Sequence, residues 1–178
     1  MQELSLNVLD IAQNSVRAGA SLVRITLDED REKETLMISV ADDGCGMTEE
    51  QVKSVTNPFF TTRTTRKVGL GIPFFKIAAE ATGGSLTIHS TPGKGTETRA
   101  FFHTGHIDML PVGNMAETVE MLITMNPDMD FLYVHSVGNE QFTLDTREIK
   151  AVLEDVPINS PEVASFIKET LAEGEAAL

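Results

Sequence analysis

Cysteine, basic residues and long apolar runs are all scarce in this chain. Its 178 residues include one cysteine, Cys45, which can form no intramolecular disulfide and cannot make a metal site by itself. The 14 lysines and arginines stand against 27 aspartates and glutamates, for a formal net charge of −13. Because affinity for nucleic acid comes mainly from clustered basic charge, this balance argues against a nucleic-acid partner.

Segments that would place the chain in or across a membrane are missing as well. No run approaches the roughly 20 apolar residues that a membrane helix requires, so we expect no membrane partner. The first five residues lack the basic start of a signal peptide, which predicts a cytoplasmic location. What is present, 41% hydrophobic and 23% charged residues, is the composition of an ordinary folded protein.

The negative charge is concentrated in the second part of the chain. Residues 1–102 carry 11 basic and 13 acidic side chains, whereas residues 103–178 carry 3 and 14. The acidic part still shows periodic apolar positions, which favours a folded unit over an acidic tail. We therefore predict a first domain of residues 1–104 and an acidic α/β extension of residues 105–178.

Apolar periodicity and turn residues predict the order of the elements. The first part is predicted to contain a helix (4–18), a strand (22–27), a loop (28–34) and a second strand (36–40). A short helix (48–55), a long irregular loop (59–68), a helix (72–82) and a hairpin (86–102) follow. The acidic part is predicted to contain a helix, a hairpin and two further helices, over residues 114–125, 131–144, 146–154 and 160–173.

The first group of chemically interesting residues lies on the first helix. Asp10, Asn14 and Arg17 are four and three residues apart, so a carboxylate, an amide oxygen and a guanidinium share one stripe. Hard oxygen ligands beside a cationic phosphate partner are what a Mg²⁺-phosphate site needs. The alternative is an ordinary solvated face of a surface helix.

Two glycine-containing turns supply the other candidates. Asp42-x-Gly44-x-Gly46 follows a strand, where a carboxylate in an apolar pocket can accept a hydrogen bond from an amine such as that of adenine. The alternative is a tight turn with acidic decoration. Gly69-Leu70-Gly71 precedes a helix, whose N-terminal amides favour phosphate, with Arg66 and Lys67 just before it. The alternative there is a flexible start of the helix.

Together, these motifs resemble the ATP-binding domain shared by gyrase, heat-shock chaperones, histidine kinases and MutL, the GHKL superfamily. The resemblance covers residues 4–103, and residues 14–21 are particularly similar to the MutL version. The matching motifs, in the order of the family, are the N box Asp10-x-x-x-Asn14, the G1 box Asp42-x-Gly44-x-Gly46-Met47, the F box Pro58-Phe59-Phe60-Thr61-Thr62, the G2 box Gly69-Leu70-Gly71-Ile72 and the last glycine motif Gly93-Lys94-Gly95-Thr96. Neither a Walker loop nor a Rossmann fingerprint is present.

The resemblance implies an α+β fold and a set of ligand contacts. The fold is a two-layer α/β sandwich of the Bergerat type with a mixed, mainly antiparallel sheet, here followed by the acidic extension. ATP is the implied ligand, with Mg²⁺ bound through Asn14 and a lid formed by residues 61–68. Asp42 would accept from the adenine amine with help from Thr96. The remaining implied nucleotide contacts are Arg17, Gly44, Gly46, Met47, Lys67, Gly69, Leu70 and Gly71.

Asp10 departs from the family, which usually has glutamate there to orient or deprotonate the nucleophile. Aspartate is one methylene shorter, and a catalytic group about 1 Å out of place can cost about 10²-fold in rate. We therefore predict slow turnover with Asp10 as the catalytic carboxylate.

Two functions remain open on the sequence. The first is a stand-alone protein kinase or signalling regulator that transfers phosphate to a partner protein, because no phosphoacceptor helix precedes the N box. His89, His103, His106 and His135 lie in or next to predicted strands and favour a structural role. The second is an ATP-driven switch, either a slow ATPase or a nucleotide-sensing module without a phosphoacceptor. We expect a protein partner at the acidic extension, and a homodimer is also open.

Overall fold

The computed structural model describes residues 3–57 and 70–178, and this part of the chain contains six helices and six strands. The helices are α1 (Leu4–Arg17), α2 (Glu49–Val55), α3 (Gly71–Ala81), α4 (Met115–Met125), α5 (Thr146–Leu153) and α6 (Pro161–Ala176). The strands are β1 (Leu22–Asp30), β2 (Thr35–Asp42), β3 (Ser85–Thr91), β4 (Gly95–His103), β5 (Asp130–Val137) and β6 (Glu140–Asp145).

The strands form one sheet in the order β3-β4-β2-β1-β5-β6. All neighbouring pairs are antiparallel except β1 and β5, which are parallel. The α+β fold with a mixed, mainly antiparallel sheet is thus confirmed. Within the described ranges no helix is both long and apolar enough to cross a membrane.

Strand alternation gives the sheet one buried and one open face. In β1 the alternate residues Val23, Ile25 and Leu27 are buried, while Arg24 and Asp28 on the opposite face are exposed. Helices α1, α3, α4 and α6 cover the buried face in a single layer, in which α1 contacts α3 and α4, and α4 contacts α6. The two layers of the predicted sandwich are these helices and the sheet.

The acidic extension is built into this sheet. Strand β5 pairs with β1 along its length, from Leu22 with Asp130 to Glu29 with Val137. The core likewise contains Phe131 and Tyr133 beside residues of the first part of the chain. The extension is α/β, as its periodicity predicts, but residue 104 does not separate two sheets. The predicted domain of residues 1–104 is therefore a hypothesis that truncation of the chain tests.

Local sequence explains three of the six helix starts in the described part of the chain. Thr48 accepts a hydrogen bond from the backbone N–H of Gln51, and the Gln51 side chain accepts one from the Thr48 N–H, which confirms the predicted capping box. The side chains of Asn114 and Asp145 accept from the N–H groups of Glu117 and Arg147 and so cap α4 and α5, without the reciprocal bond of a capping box. The predicted polar loop 28–34 is shorter than expected, because pairing of β1 with β2 continues to Asp30 and Thr35.

Candidate functional site

Asp42 lies at the end of β2, next to the neighbouring strand β4 and to helix α1. The Ser15 hydroxyl donates to one carboxylate oxygen at 2.6 Å, and the Gly44 N–H donates to the other at 2.9 Å. Thr96 is the register partner of Asp42 on β4, and both side chains are half-buried. The carboxylate is therefore fixed in orientation, and its remaining lone pairs are available to accept from a ligand.

Ser90 connects Thr96 to the turn after β2. Its hydroxyl accepts from the Met47 N–H at 2.7 Å, lies 3.0 Å from the Gly95 carbonyl and is 2.8 Å from the Thr96 hydroxyl. Sequence reasoning did not select Ser90, and a serine ahead of a hairpin turn gives no signal of this role. Ser15 was also missed, although it is a polar residue on the apolar stripe of α1, which is the signal for a buried partner.

Close backbone packing accounts for the glycines of the turn after β2. A Cβ at Gly44 would lie 2.8 Å from the Cβ of Ala18. At Gly46 it would overlap the backbone carbonyl of Thr91, and the φ of +68° is one that other residues rarely adopt. These glycines pack the turn against α1 and the β3–β4 hairpin. Their contact with a nucleotide, and that of Met47, stays a prediction.

We predict that Gly46→Ala destabilises the fold far more than Gly93→Ala. Both glycines have a positive φ, +68° and +77°, but nothing lies within 4 Å of a Cβ at Gly93. The backbone conformation should cost about 1 kcal/mol in each variant, and the overlap with Thr91 should raise the cost at Gly46 to about 3 kcal/mol. Urea unfolding of both variants measures the difference. Equal losses would mean that the turn relaxes freely away from the hairpin.

The structure brings Asp10 and Gly71 together although they come from different motifs. A Cβ at Gly71 would lie 2.7 Å from the Cβ of Asp10, so the start of α3 packs directly on α1. Leu70 is the N-cap residue of α3, and no described side chain caps this helix. Its first N–H groups are therefore available to an anion, except at Pro73, which has none. Asp10 itself is exposed beside them.

Asn14 and Arg17 are neighbours on α1, as their spacing predicts. The Arg17 guanidinium donates to the Asn14 amide oxygen at 3.3 Å, a long and exposed bond that a ligand can replace at little cost. The described residues contain no group of three His, Cys, Asp or Glu side chains able to hold a metal ion. Asn14 fits Mg²⁺ as a single protein oxygen, with phosphate and water supplying the other ligands.

A cavity of about 590 Å³ opens beside Asp42. Its wall includes Asp42 and Thr96 at the strand ends, Val52 and Lys53 of α2, and Ile88 of β3. Most lining residues are polar or charged, and Ala41, Val52 and Ile88 form the apolar part that suits a flat heterocycle. Among the described residues predicted to contact the nucleotide, Asp42 and Thr96 line the cavity, whereas Asn14, Arg17, Gly44, Gly46, Met47, Leu70 and Gly71 do not. The Ser15–Asp42 hydrogen bond links α1 to it.

The remaining predicted contacts, Lys67 and Gly69, lie outside the described residues. The same holds for the F box and for the lid of residues 61–68. Of the G2 box, Leu70, Gly71 and Ile72 lie within the described residues.

Asp43 faces away from Asp42 and anchors the start of β1. Its carboxylate accepts from the Ser21 N–H at 2.7 Å, the Leu22 N–H at 2.9 Å and the Ser21 hydroxyl. The hydrogen bond from the Ser21 hydroxyl, followed by that from the Leu22 N–H, lowers the pKa of Asp43. Of two consecutive aspartates, one thus serves the strand and the other the candidate site.

Replacing Asp43 should produce a stability loss that depends on pH. Because the folded pKa of Asp43 is lowered, its contribution is present above the unfolded value near 4 and is lost as the pH falls through the folded value. We expect Asp43→Ala to be less stable than the wild type at pH 7, with a difference that shrinks at pH 3. Urea unfolding at both pH values tests this, and the exposed carboxylate of Asp128 offers Asp128→Ala as the charge-loss control. A difference of the same size at pH 3 would contradict the assignment.

The histidines lie where the strand pattern predicts. His89 is in β3, His103 ends β4 and His106 follows it, while His135 is in β5. His135 is buried, and its Nδ1 lies 3.0 Å from both carboxylate oxygens of Glu175 in α6. This contact ties α6 to the sheet.

Comparison with known proteins identifies the first part of the chain. The family model described as histidine kinase-, DNA gyrase B-, and HSP90-like ATPase matches residues 1–106. That range contains α1, the turn after β2, the start of α3 and the β3–β4 hairpin.

Three curated relatives match between about half and two thirds of the chain. Sporulation kinase E of Bacillus subtilis is 34% identical over 119 residues, which are 66% of this chain and 14% of that protein. The non-motile and phage-resistance protein of Caulobacter vibrioides is 31% identical over 114 residues, 61% of this chain and 14% of that protein. Sensor protein DegM of a Bacillus species is 30% identical over 90 residues, which are 51% of this chain and 24% of that protein. The chain spans less than a quarter of each of these relatives.

Two solved structures share the fold. The N-terminal domain of a DNA repair protein superposes with a TM-score of 0.57 at 13% identity, covering 82% of this chain and 53% of that one. The Aquifex aeolicus MutL ATPase domain complexed with ADP gives a TM-score of 0.51 at 14% identity, and the superposition covers 86% of this chain and 70% of that one. Since the family match also covers more than half of the chain, this protein belongs to the histidine kinase-, DNA gyrase B-, and HSP90-like ATPase family and carries its ATP-binding domain.

Proposed function

We propose that the chain binds Mg-ATP with its base at Asp42 and its phosphates at the start of α3, and transfers phosphate to a partner protein as a kinase or signalling regulator. The observation that carries the nucleotide pose is the fixed Asp42 carboxylate, held by Ser15 and Gly44 beside a cavity of about 590 Å³. The printed names of relatives, which include sporulation kinase E, support a role in signalling.

Asp42 would select adenine over guanine. Adenine presents an amine where guanine presents a carbonyl, so a carboxylate accepts from the first and faces a second acceptor with the other. Both oxygens of Asp42 already accept one hydrogen bond, which leaves the side chain no freedom to turn away. With guanine, the Asp42 oxygen and the guanine carbonyl oxygen would face each other as two acceptors with no hydrogen between them. This arrangement is costly in a half-buried site and is the source of the specificity.

The phosphate end would rest on α1 and on the start of α3. Asn14 would hold Mg²⁺, Arg17 and Lys67 would balance phosphate charge, and Gly69, Leu70 and Gly71 would present backbone N–H groups. Mg²⁺ neutralises phosphate charge and orients the oxygens it binds. Asp10, which lies against Gly71, would orient or deprotonate the nucleophile.

Asp10→Asn should abolish turnover and leave ATP binding intact. Asparagine keeps the size of the side chain but cannot take a proton, whereas the base-binding residues are untouched. Phosphate release and calorimetric ATP affinity, measured on the same preparation, check both parts. Unchanged turnover in Asp10→Asn would remove Asp10 from the mechanism.

Incubation with γ-labelled ATP, alone and with cell extract, tests the proposed transfer. A kinase transfers label to one extract protein, and Asp10→Asn must not. Free labelled phosphate without a labelled protein would contradict transfer and support the second candidate. If neither a protein nor free phosphate carries the label, both transfer and hydrolysis are contradicted, and the chain is a module that only binds the nucleotide.

The second candidate is an ATP-driven conformational switch, and the observation that favours it is Asp10. This carboxylate is one methylene shorter than the usual glutamate and is exposed, so it is poorly placed for fast chemistry. In either case we propose a cytoplasmic protein that uses no nucleic acid and meets a protein partner through its acidic extension, with a homodimer as an open state.

A further inference from the structure

Helix α5 is amphipathic, and its apolar side is only partly covered. Ile149, Val152 and Leu153 have the spacing of one helical face. Thr146 is nevertheless the one buried residue of this helix, and Val152 is 83% exposed. An amphipathic helix normally buries its apolar stripe, and here Ile149 and Leu153 are half-buried against the core while the part around Val152 remains open.

Helix α6 forms the opposite wall of a groove along α5. Val163 is buried at its base, whereas Phe166 is 57% exposed. The two helices enclose a volume of about 400 Å³, lined by Ile149, Val152, Leu153, Val163 and Phe166 and by two glutamates. A groove of this kind between two helices suits the apolar face of a third helix.

The charge around the groove is negative and only partly compensated, by the attraction between Glu148 and Arg147. Its two glutamates, Glu148 and Glu162, take part in no ion pair among the described residues. The cations of α5 are already engaged, because Arg147 lies 2.6 Å from Asp145 and Lys150 lies 2.8 Å from Asp130. The third basic residue of the acidic part, Lys168, lies two positions after Phe166 and hence on the other side of α6.

We propose that the α5–α6 groove binds an amphipathic helix of a partner protein, with apolar side chains in the groove and lysines or arginines facing Glu148 and Glu162. A second copy of this chain fits poorly, because a symmetric contact through the same groove would bring four unpaired glutamates together. The groove shares no residue with the nucleotide site, so this inference does not rest on the proposed function.

The test uses the full chain without nucleotide and a labelled synthetic helical peptide. The peptide carries leucines at i, i+3, i+4 and i+7 with lysines on both flanks, and a second peptide carries glutamates instead. We expect saturable binding of the lysine peptide by fluorescence anisotropy and at least about tenfold weaker binding of the glutamate peptide. The Glu148→Gln, Glu162→Gln double variant should lose most of this preference and of the salt dependence.

Val152→Asp should weaken binding of the lysine peptide at least about tenfold, because it places a charge in the groove. Ile107→Asp is the matched control, since Ile107 is 94% exposed and lies far from α5 in sequence, and it should bind as the wild type does. Thermal unfolding checks that both variants are folded. Equal binding of the two peptides, or equal effects of the two variants, would overturn the proposal. A dimer in sedimentation that Val152→Asp dissolves would overturn it in favour of a second copy.

Discussion

Ending the chain after residue 104 is expected to abolish cooperative folding. The truncation exposes the full length of β1, which pairs with β5 from Leu22 to Glu29. It also removes Phe131 and Tyr133 from the shared core. Loss of core side chains of this size costs about 3–5 kcal/mol each, and typical domains have only about 5–15 kcal/mol in total.

The same truncation should disable the nucleotide site. The first turn of α1 is held by the extension, since the N–H groups of Leu4 and Ser5 donate to the carbonyls of Pro111 and Val112 at 3.0 and 2.8 Å. This helix carries Asp10, Asn14 and Ser15, so its start is fixed by residues beyond the family match. An exposed strand edge also favours aggregation.

Circular dichroism, thermal unfolding and ATP titration of residues 1–104 and of the full chain measure these effects. We expect the fragment to show no cooperative transition and no ATP binding. A soluble fragment that unfolds cooperatively and binds ATP would contradict this expectation and would support a domain boundary at residue 104.

Asp42→Asn should weaken ATP binding by about 100-fold. In the wild type the two oxygens serve Ser15 and Gly44 and keep lone pairs for the ligand. Asparagine has a single side-chain oxygen, so its NH₂ group takes the place of one of the two carboxylate oxygens. This NH₂ group is a donor and can face the adenine amine, which is also a donor. The loss of a charge-assisted hydrogen bond, about 1.5–3 kcal/mol, together with this mismatch gives about two orders of magnitude.

Asp43→Asn is the matched control for Asp42→Asn. It makes the same chemical change one residue later, on a carboxylate that bonds Ser21 and Leu22 instead of lining the cavity. We expect it to lose some stability and to retain ATP affinity within a few-fold. Comparable losses of affinity in the two variants would point to a general disturbance of the turn and against a direct contact of Asp42.

Local features of the fold were predictable because they depend on neighbours in sequence. The Thr48–Gln51 capping box, the cap at Asn114 and the β5–β6 hairpin all follow from patterns a few residues long. The placement of β5 beside β1 did not follow, since it joins segments about 100 residues apart and parallel pairing leaves no local signal. The charge difference between the two parts therefore indicated a separate extension where the structure has a continuous sheet.

The candidate site shows the same division. Motif order placed Asp42 and Thr96 on one site, and the structure makes them register partners. The hydrogen bonds of Ser15 and Ser90 depend on contacts across the fold, so their roles were not accessible from spacing. Gly44 and Gly46 are nucleotide contacts implied by the sequence, and the described contacts give them an additional reason in backbone packing.

Titration of the full-length protein with ATP and with GTP in the presence of Mg²⁺, followed by calorimetry, tests the central claim most directly. If Asp42 reads the adenine amine, ATP binds to one site per chain and GTP binds at least about 100-fold more weakly. GTP binding as tight as that of ATP, or no heat with either nucleotide, would contradict the account.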